Sequence, residues 1–243
     1  LLIGRKRSEN YNILSQDEKK PLFNRALQGT YPPGSTFKLI NALIALQEGV
    51  ITKYTNFSCN GYNGYGYGRD KHVRCHPHIT PLNLTKGIEI SCNAYFCNAY
   101  AKYFNTFNSS IEAYDNWYGH VSSFGIGDFM HNDFINGSPG KLPESTYFNT
   151  LYRGSWNANT IISMAIGQGE LMLTTIQMAN MTAILANRGY YYTPHIIKNI
   201  SGEISIDSNF TTKKYCSIEK KYFSLFKIIF FWNIYTNKTP INR

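Results

Sequence analysis

The chain is 243 residues long, and 43% of them are apolar against 16% charged. That balance supplies a sizeable core and excludes a disordered or collagen-like chain, and the length suits one large domain or two small ones. Lys and Arg number 24 against 15 Asp and Glu, a formal charge of +9, which suits a lineage bias toward Lys as well as it suits an anionic partner such as a wall polymer. No nucleic-acid partner is expected.

The start, Leu1-Leu2-Ile3-Gly4-Arg5-Lys6-Arg7, has no initiator Met and no charged segment leading into an apolar one, so no signal peptide is expected and the chain reads as a fragment. The longest apolar stretch, residues 225–234, is half the ~20 residues that span a bilayer and contains Lys227, so no membrane anchor is expected.

Tyr31-Pro32-Pro33-Gly34-Ser35 forces a turn and puts Ser35 in the first turn of a helix. Residues 39–46 read Leu-Ile-Asn-Ala-Leu-Ile-Ala-Leu, apolar on almost every face, and the helix stops at Gly49. Residues 59–85 are rich in Gly, Tyr, Asn and Pro without a period and read as a long loop. A second helix starts near Leu84, runs through Ile88, Ile90, Tyr95, Phe96 and Ala99 to about Phe104, and breaks near Ser91; turn residues at 105–109 end it.

After a Gly- and Pro-punctuated middle, Thr174-Thr175-Ile176-Gln177 forms a capping box for a helix whose expected buried face is Ile176, Ala179, Ala183 and Ala186. Gly189 ends it. Tyr190-Tyr191-Tyr192 and His195-Ile196-Ile197 then read as strand. Helices followed by strands give an α+β class.

Ser35-Thr36-Phe37-Lys38 sets a hydroxyl and an amine three residues apart, on one helical face. The amine can take the hydroxyl proton if burial lowers its pKa, which is the serine–lysine nucleophile pattern. The same spacing recurs at Ser138/Lys141, Ser217/Lys220 and Ser224/Lys227, but only the Ser35 copy has the turn and the apolar helix behind it. Ser91-Cys92-Asn93 adds a second hydroxyl for proton shuttling and an amide to hold a peptide group.

Three segments in order carry a resemblance. They are Gly29-Thr30-Tyr31-Pro32-Pro33-Gly34-Ser35-Thr36-Phe37-Lys38, Ser91-Cys92-Asn93-Ala94-Tyr95-Phe96, and Gly167-Gln168-Gly169 followed by Thr174-Thr175-Ile176-Gln177-Met178-Ala179. The chain thereby resembles the transpeptidase domain of class B penicillin-binding proteins of the penicillin-binding protein 2 type, over residues 1–223. The resemblance implies a peptidoglycan D,D-transpeptidase that cross-links stem peptides ending in D-Ala-D-Ala and is acylated by β-lactams. It implies Ser35 as nucleophile, Lys38 as its base, and Ser91 and Asn93 as proton relay and substrate clamp. The Gly-Gln-Gly segment resembles a structural turn and is assigned no chemistry.

It further implies helices packed on a central antiparallel sheet with the C-terminal strands missing, no cofactor for catalysis, a membrane glycosyltransferase as partner, and a place at the periplasmic face of the inner membrane. The family's third motif, Lys-Thr/Ser-Gly on a strand, is expected beyond this chain. The one candidate, Lys238-Thr239-Pro240, has a proline where the glycine should be and no strand pattern around it. Residues 224–243 read as a divergent or aberrant tail. The rival readings are an inactive fragment of such a protein and a β-lactamase or β-lactam sensor.

Cys59, Cys75, His76, His78, Cys92 and Cys97 supply sulfur and imidazole donors, and Cys59, Cys75, His78 and Cys92 would form a tetrahedral structural zinc site. Some penicillin-binding protein 2 members resemble this pattern. A Cys59–Cys75 disulfide and plain buried thiols stand beside it as alternatives. Cys97 reads as core, and His72, His120, His131 and His195 read as surface or loop histidines.

Overall fold

The computed structural model describes residues 3–66, 73–134, 136–201 and 205–224. His72 and everything from residue 225 onward, including Lys238-Thr239-Pro240, lie outside the described residues. In chain order the elements are α1 (Arg7–Gln16), β1 (Thr30–Tyr31), α2 (Lys38–Gln47), α3 (Leu84–Glu89), α4 (Asn93–Phe104), α5 (Ser110–Ser122) and α6 (Ser145–Leu151). They continue with β2 (Leu173–Thr174), α7 (Thr175–Asn187), β3 (Tyr190–Tyr191), α8 (Ser208–Thr211) and β4 (Lys214–Tyr215). No helix among the described residues is long and apolar enough to cross a membrane.

Helix α2 is the centre of the core. Its apolar run has no polar stripe to turn outward, and Ile40, Leu43 and Ile44 are fully buried, each contributing roughly 1.5–3 kcal/mol of burial. Gly49 at φ +67° ends it, the Gly49 N–H reaching the Leu46 carbonyl at 3.2 Å and the Val50 N–H the Ala45 carbonyl at 2.9 Å. That is a Schellman stop, and it needs the left-handed residue that glycine supplies.

Around α2 pack α4, α5 and a 3-10 turn, Ile162–Ile166. The contacts are largely aromatic: Trp117 meets Phe37 and Tyr100 edge-on, both at 6.0 Å between ring centroids. Tyr114 meets Phe148 at 5.1 Å. Edge-to-face pairs of this kind add to their area burial because ring edge and ring face carry opposite partial charge.

The second predicted helix is two helices, and the break falls at Ser91. Ser91 sits at φ +55°, a left-handed conformation costly for any residue with a Cβ. Cys92 then starts α4, its Sγ accepting from the Tyr95 N–H at 3.3 Å.

The mixed α and β class holds, with the sheet reduced. Among the described residues there are two antiparallel ribbons of two strands each: β1 with β2, registering Thr30 with Thr174, and β3 with β4, registering Tyr190 with Tyr215. The strand expected at His195-Ile196-Ile197 does not form. The Asp133 carboxylate accepts the N–H groups of Ile196 and Ile197 at 2.8 and 2.7 Å, so these donors serve a loop instead of a ladder.

Helix α7 starts at its capping box, with the Gln177 N–H to Thr174 Oγ1 and the Thr174 N–H to Gln177 Oε1. Its expected buried face is corrected: Ala179, Ala183 and Ala186 are exposed, and the buried stripe is Gln177, Asn180, Met181 and Ile184. Two polar residues face inward because backbone carbonyls wait for them. Gln177 Nε2 donates to Pro139 O at 2.8 Å and Asn180 Nδ2 to Phe124 O at 3.2 Å, so neither is buried unpaired.

Candidate active site and cysteine cluster

Ser35 lies in a 3-10 turn, Gly34–Phe37, that runs directly into α2. The prolines before it fix the approach, and Gly34 at φ +58° makes the corner. The Gly34 N–H donates to the Gly167 carbonyl at 2.8 Å. At Gly167 an added Cβ would stand 2.3 Å from Gly34 O and 2.7 Å from Phe37 Cβ, so this position admits no side chain. The Gly-Gln-Gly turn is therefore the bed on which the serine turn rests, and Ser35 itself is exposed.

Lys38 is 2% exposed. A buried ammonium requires acceptors, and it has three. Nζ donates to the Ser91 carbonyl at 2.7 Å, Ser91 Oγ at 2.9 Å and Asn93 Oδ1 at 2.6 Å. The positive φ of Ser91 presents both of its oxygens to one amine. Asn93 is oriented in turn by its own amide, which donates to the Arg74 carbonyl at 2.8 Å. The Phe96 ring closes the apolar side, with Nζ 5.7 Å from its centroid. Burial draws the Lys38 amine down to about 8, against the opposing pull of the Cys75, Cys92 and Cys97 thiols. An amine in that range can hold and release a proton near neutral pH.

The structure thus brings Lys38, Ser91 and Asn93 into direct contact and sets Ser35 one helical turn before Lys38. Gly167 stands under the serine turn, in the segment that the resemblance marks as a structural turn. The Arg74 carbonyl is the position whose part the sequence did not disclose, because a backbone acceptor has no signature.

Cys59, Cys75, His78 and Cys92 converge beside this site, their donor atoms all within 4.8 Å of one another. Cys75 Sγ lies 3.9 Å from Cys92 Sγ and 3.6 Å from His78 Nε2. Tetrahedral zinc with Zn–S bonds of about 2.3 Å sets sulfur–sulfur edges near 3.8 Å, so these spacings fit the ion. His78 Nδ1 faces the Ile79 carbonyl at 2.9 Å, which leaves Nε2 as the free lone pair, the orientation metal-bound imidazoles adopt. Burial pushes Cys75 up, but the His78 imidazole, the Asn93 and Ala94 N–H groups and the Cys92 thiol together hold it at about 7. Burial pushes Cys92 up to about 12. Two thiols this close cannot both ionise without a counter-charge. All five cysteines are free thiols, and Cys97 is core.

His120 is a correction. Expected at the surface or in a loop, it stands on α5 with only 11% of its side chain exposed, Nε2 3.0 Å from Glu48 Oε1 and Nδ1 2.6 Å from Ser217 Oγ.

A serine three residues before a buried lysine, with that lysine held by a Ser-x-Asn segment, is the serine–lysine nucleophile pattern set in three dimensions. The penicillin-binding protein transpeptidase domain family matches residues 1–226, and the chain belongs to that family. The peptidoglycan D,D-transpeptidase MrdA of Haemophilus influenzae is 33% identical over 201 residues, 81% of this chain and 29% of that protein. The MrdA of Escherichia coli is 30% identical over 203 residues, 78% of this chain and 29% of that protein. Among solved structures, Pseudomonas aeruginosa PBP2 in complex with WCK 5153 superposes with a TM-score of 0.73 at 28% identity, covering 89% of this chain and 47% of that one. The PBP2 of Helicobacter pylori in complex with MreC superposes at 0.72 with 25% identity, over 95% of this chain and 39% of that one. The chain spans less than a third of the length of these curated relatives.

Proposed function

We propose that residues 1–223 form the acyl-transferring part of a peptidoglycan D,D-transpeptidase. Ser35 Oγ attacks the carbonyl between the two D-Ala residues of a stem peptide and Lys38 takes its proton. The C–N bond breaks, the terminal D-Ala leaves with a proton, and an acceptor amine of a second stem displaces the serine ester. The neutral Lys38 amine has two hydrogens and one lone pair, so it gives up one of its three contacts when the lone pair turns to the Ser35 hydroxyl. The Ser91 hydroxyl is the only one of the three able to donate, which makes it the relay. Asn93 holds Lys38 through its carbonyl oxygen and serves as the clamp for the substrate amide. The Ser35 N–H is the candidate donor to the oxyanion. A β-lactam takes the same path, its ring amide opening onto Ser35. The proposed steps use protein groups and call on no cofactor.

The observation that carries this reading is Lys38, buried, drawn down to about 8 and gripped by both members of the Ser-x-Asn pair. Intact mass after incubation with a penicillin tests it. A stable adduct that disappears in Ser35→Ala supports it, and no adduct on a folded chain overturns it. Fast turnover of the adduct would instead mark a β-lactamase.

The four-donor set of Cys59, Cys75, His78 and Cys92 is proposed to bind structural zinc, which would staple the loop bearing Cys59 and Cys75 to the start of α4. In the whole protein the site is proposed to act at the periplasmic face of the inner membrane beside a glycosyltransferase. That the H. pylori relative forms a complex with MreC supports a protein partner for the whole protein.

A further inference from the structure

Asn41 is the one polar side chain within the apolar run at 39–46, and it is 7% exposed. All its polar atoms are engaged. Nδ2 donates to the Met164 carbonyl at 3.1 Å and the Ala165 carbonyl at 2.9 Å, and Oδ1 accepts from Trp117 Nε1 at 2.8 Å.

Two residues beyond Ala165 stands Gly167, whose carbonyl holds the Gly34 N–H at 2.8 Å. The path therefore closes on itself. It runs from Gly34 through α2 to Asn41, across to Met164 and Ala165, along to Gly167, and back to Gly34. Both Ser35 and Lys38 lie within the closed segment. Without Asn41 the hydrogen bonds between the two segments reduce to the one at Gly34, and apolar packing, which is non-directional, is left to set how α2 sits against the 162–166 turn. Serine and lysine would then move relative to the Ser91 and Asn93 oxygens, which belong to a different pair of helices.

We propose that Asn41 is a positioning residue for acyl transfer: by bolting α2 to the backbone beneath the serine turn, it fixes Ser35 and Lys38 against Ser91 and Asn93. The inference rests on the transpeptidase reading above. It assigns Asn41 no contact with substrate, so its effect falls on the rate of acylation at saturation and not on binding.

The experiment measures penicillin acylation of the full chain over a range of concentrations, separating the saturating rate constant from the half-saturation concentration. Asn41→Asp keeps the acceptor for Trp117 and removes both donors. Ile44→Val, one turn further along α2, weakens packing without touching the bolt and is the stability control. Asn41→Asp is expected to lower the saturating rate about 10- to 100-fold, the scale of a misplacement of about an ångström, with half-saturation unchanged within about twofold. Ile44→Val is expected to acylate at the wild-type rate even where its melting temperature falls as far. A wild-type rate in Asn41→Asp, or an equal loss in Ile44→Val, overturns the proposal. Should Asn41→Asp not fold, Asn41→Ala decides. It removes both donors to the Met164 and Ala165 carbonyls without placing a charge beside them, so a lowered saturating rate supports the bolt and an unchanged one overturns it. A wild-type chain that forms no adduct would sink the transpeptidase reading itself, whereas a wild-type adduct with an unaltered Asn41→Asp sinks only the role of Asn41.

Discussion

The Lys38 amine and the Ser91 carbonyl lie 2.7 Å apart, at a residue whose backbone holds a left-handed φ of +55°. The break between α3 and α4 is thus the means by which two consecutive helices deliver a carbonyl, a hydroxyl and, two residues on, an amide to one buried amine.

Ser91 separates strain from chemistry. Ser91→Gly relieves the left-handed backbone while Ser91→Ala keeps it, and both lose the hydroxyl. The glycine variant is expected to be more stable than the alanine variant by about 1 kcal/mol in urea unfolding, with both slowed in acylation. Equal stability of the two would show that the backbone there carries no strain.

The pH profile follows from Lys38. With its amine drawn down from 10.5 to about 8 by burial, the neutral base becomes more abundant as pH rises. Acylation is expected to rise between pH 6 and 8 and level off above about 8. Stability has the same sign in a different window. The folded chain binds fewer protons at this site than the unfolded chain between about 8 and 10.5, so its contribution rises with pH there. A flat acylation profile from pH 6 to 9 would remove Lys38 as the base.

Gly167→Ala places a Cβ 2.3 Å from Gly34 O at a φ of +70°. Both the clash and the dihedral oppose it, and the expected loss is at least ~2 kcal/mol. Thermal unfolding measures that loss, and penicillin labelling of the folded fraction should fall with it. Gly169→Ala, where the nearest atom to the added Cβ is 3.3 Å away, is expected to cost less.

Much of the candidate site was legible because its signals are local. Ser35 with Lys38 and Ser91 with Asn93 are close in sequence, and the Pro32-Pro33-Gly34 turn, the apolar helix behind it and the order of the segments single them out from other copies of the same spacing. What stayed hidden depended on distant partners. Gln177 and Asn180 are polar, so a hydrophobic period turns them outward and the alanines of α7 inward. The carbonyls of Pro139 and Phe124 reverse that choice. Ile196 and Ile197 are β-branched and read as strand until Asp133 takes their N–H groups. Helix α5 was missed although its cap is written in the sequence: Ser109 Oγ accepts the Glu112 N–H at 3.1 Å, a local pattern passed over as turn chemistry.

His120 ties the C-terminal segment to the end of α2 through Ser217 and Glu48. His120→Ala is expected to cost about 1–2 kcal/mol and to speed proteolysis around residue 217. Glu48→Gln retains a hydrogen-bond acceptor and should cost less. Unchanged proteolysis in His120→Ala would show that the segment is held by its other contacts, the Ser217 N–H to Ser123 Oγ, the Glu219 N–H to Gln47 Oε1 and the burial of Ile218 and Phe223.

Zinc at the cysteine cluster predicts about one metal ion per chain by mass spectrometry, lost in Cys92→Ser together with several degrees of melting temperature. A chain isolated without metal and with Cys59 and Cys75 joined would establish the disulfide in its place.

The bonds from Asn41 to Met164 and Ala165 bridge 123 and 124 positions, and the Gly34 bond reaches further along the chain still. Contacts at such separation form late, because a long loop must close before they return anything. A polypeptide emerging from the ribosome would therefore carry its Ser-x-x-Lys tetrad through most of synthesis without its supports. The nucleophile is not armed until the Gly-Gln-Gly turn has been made, and a nascent chain halted before residue 164 is expected to ignore a fluorescent penicillin that the released chain captures.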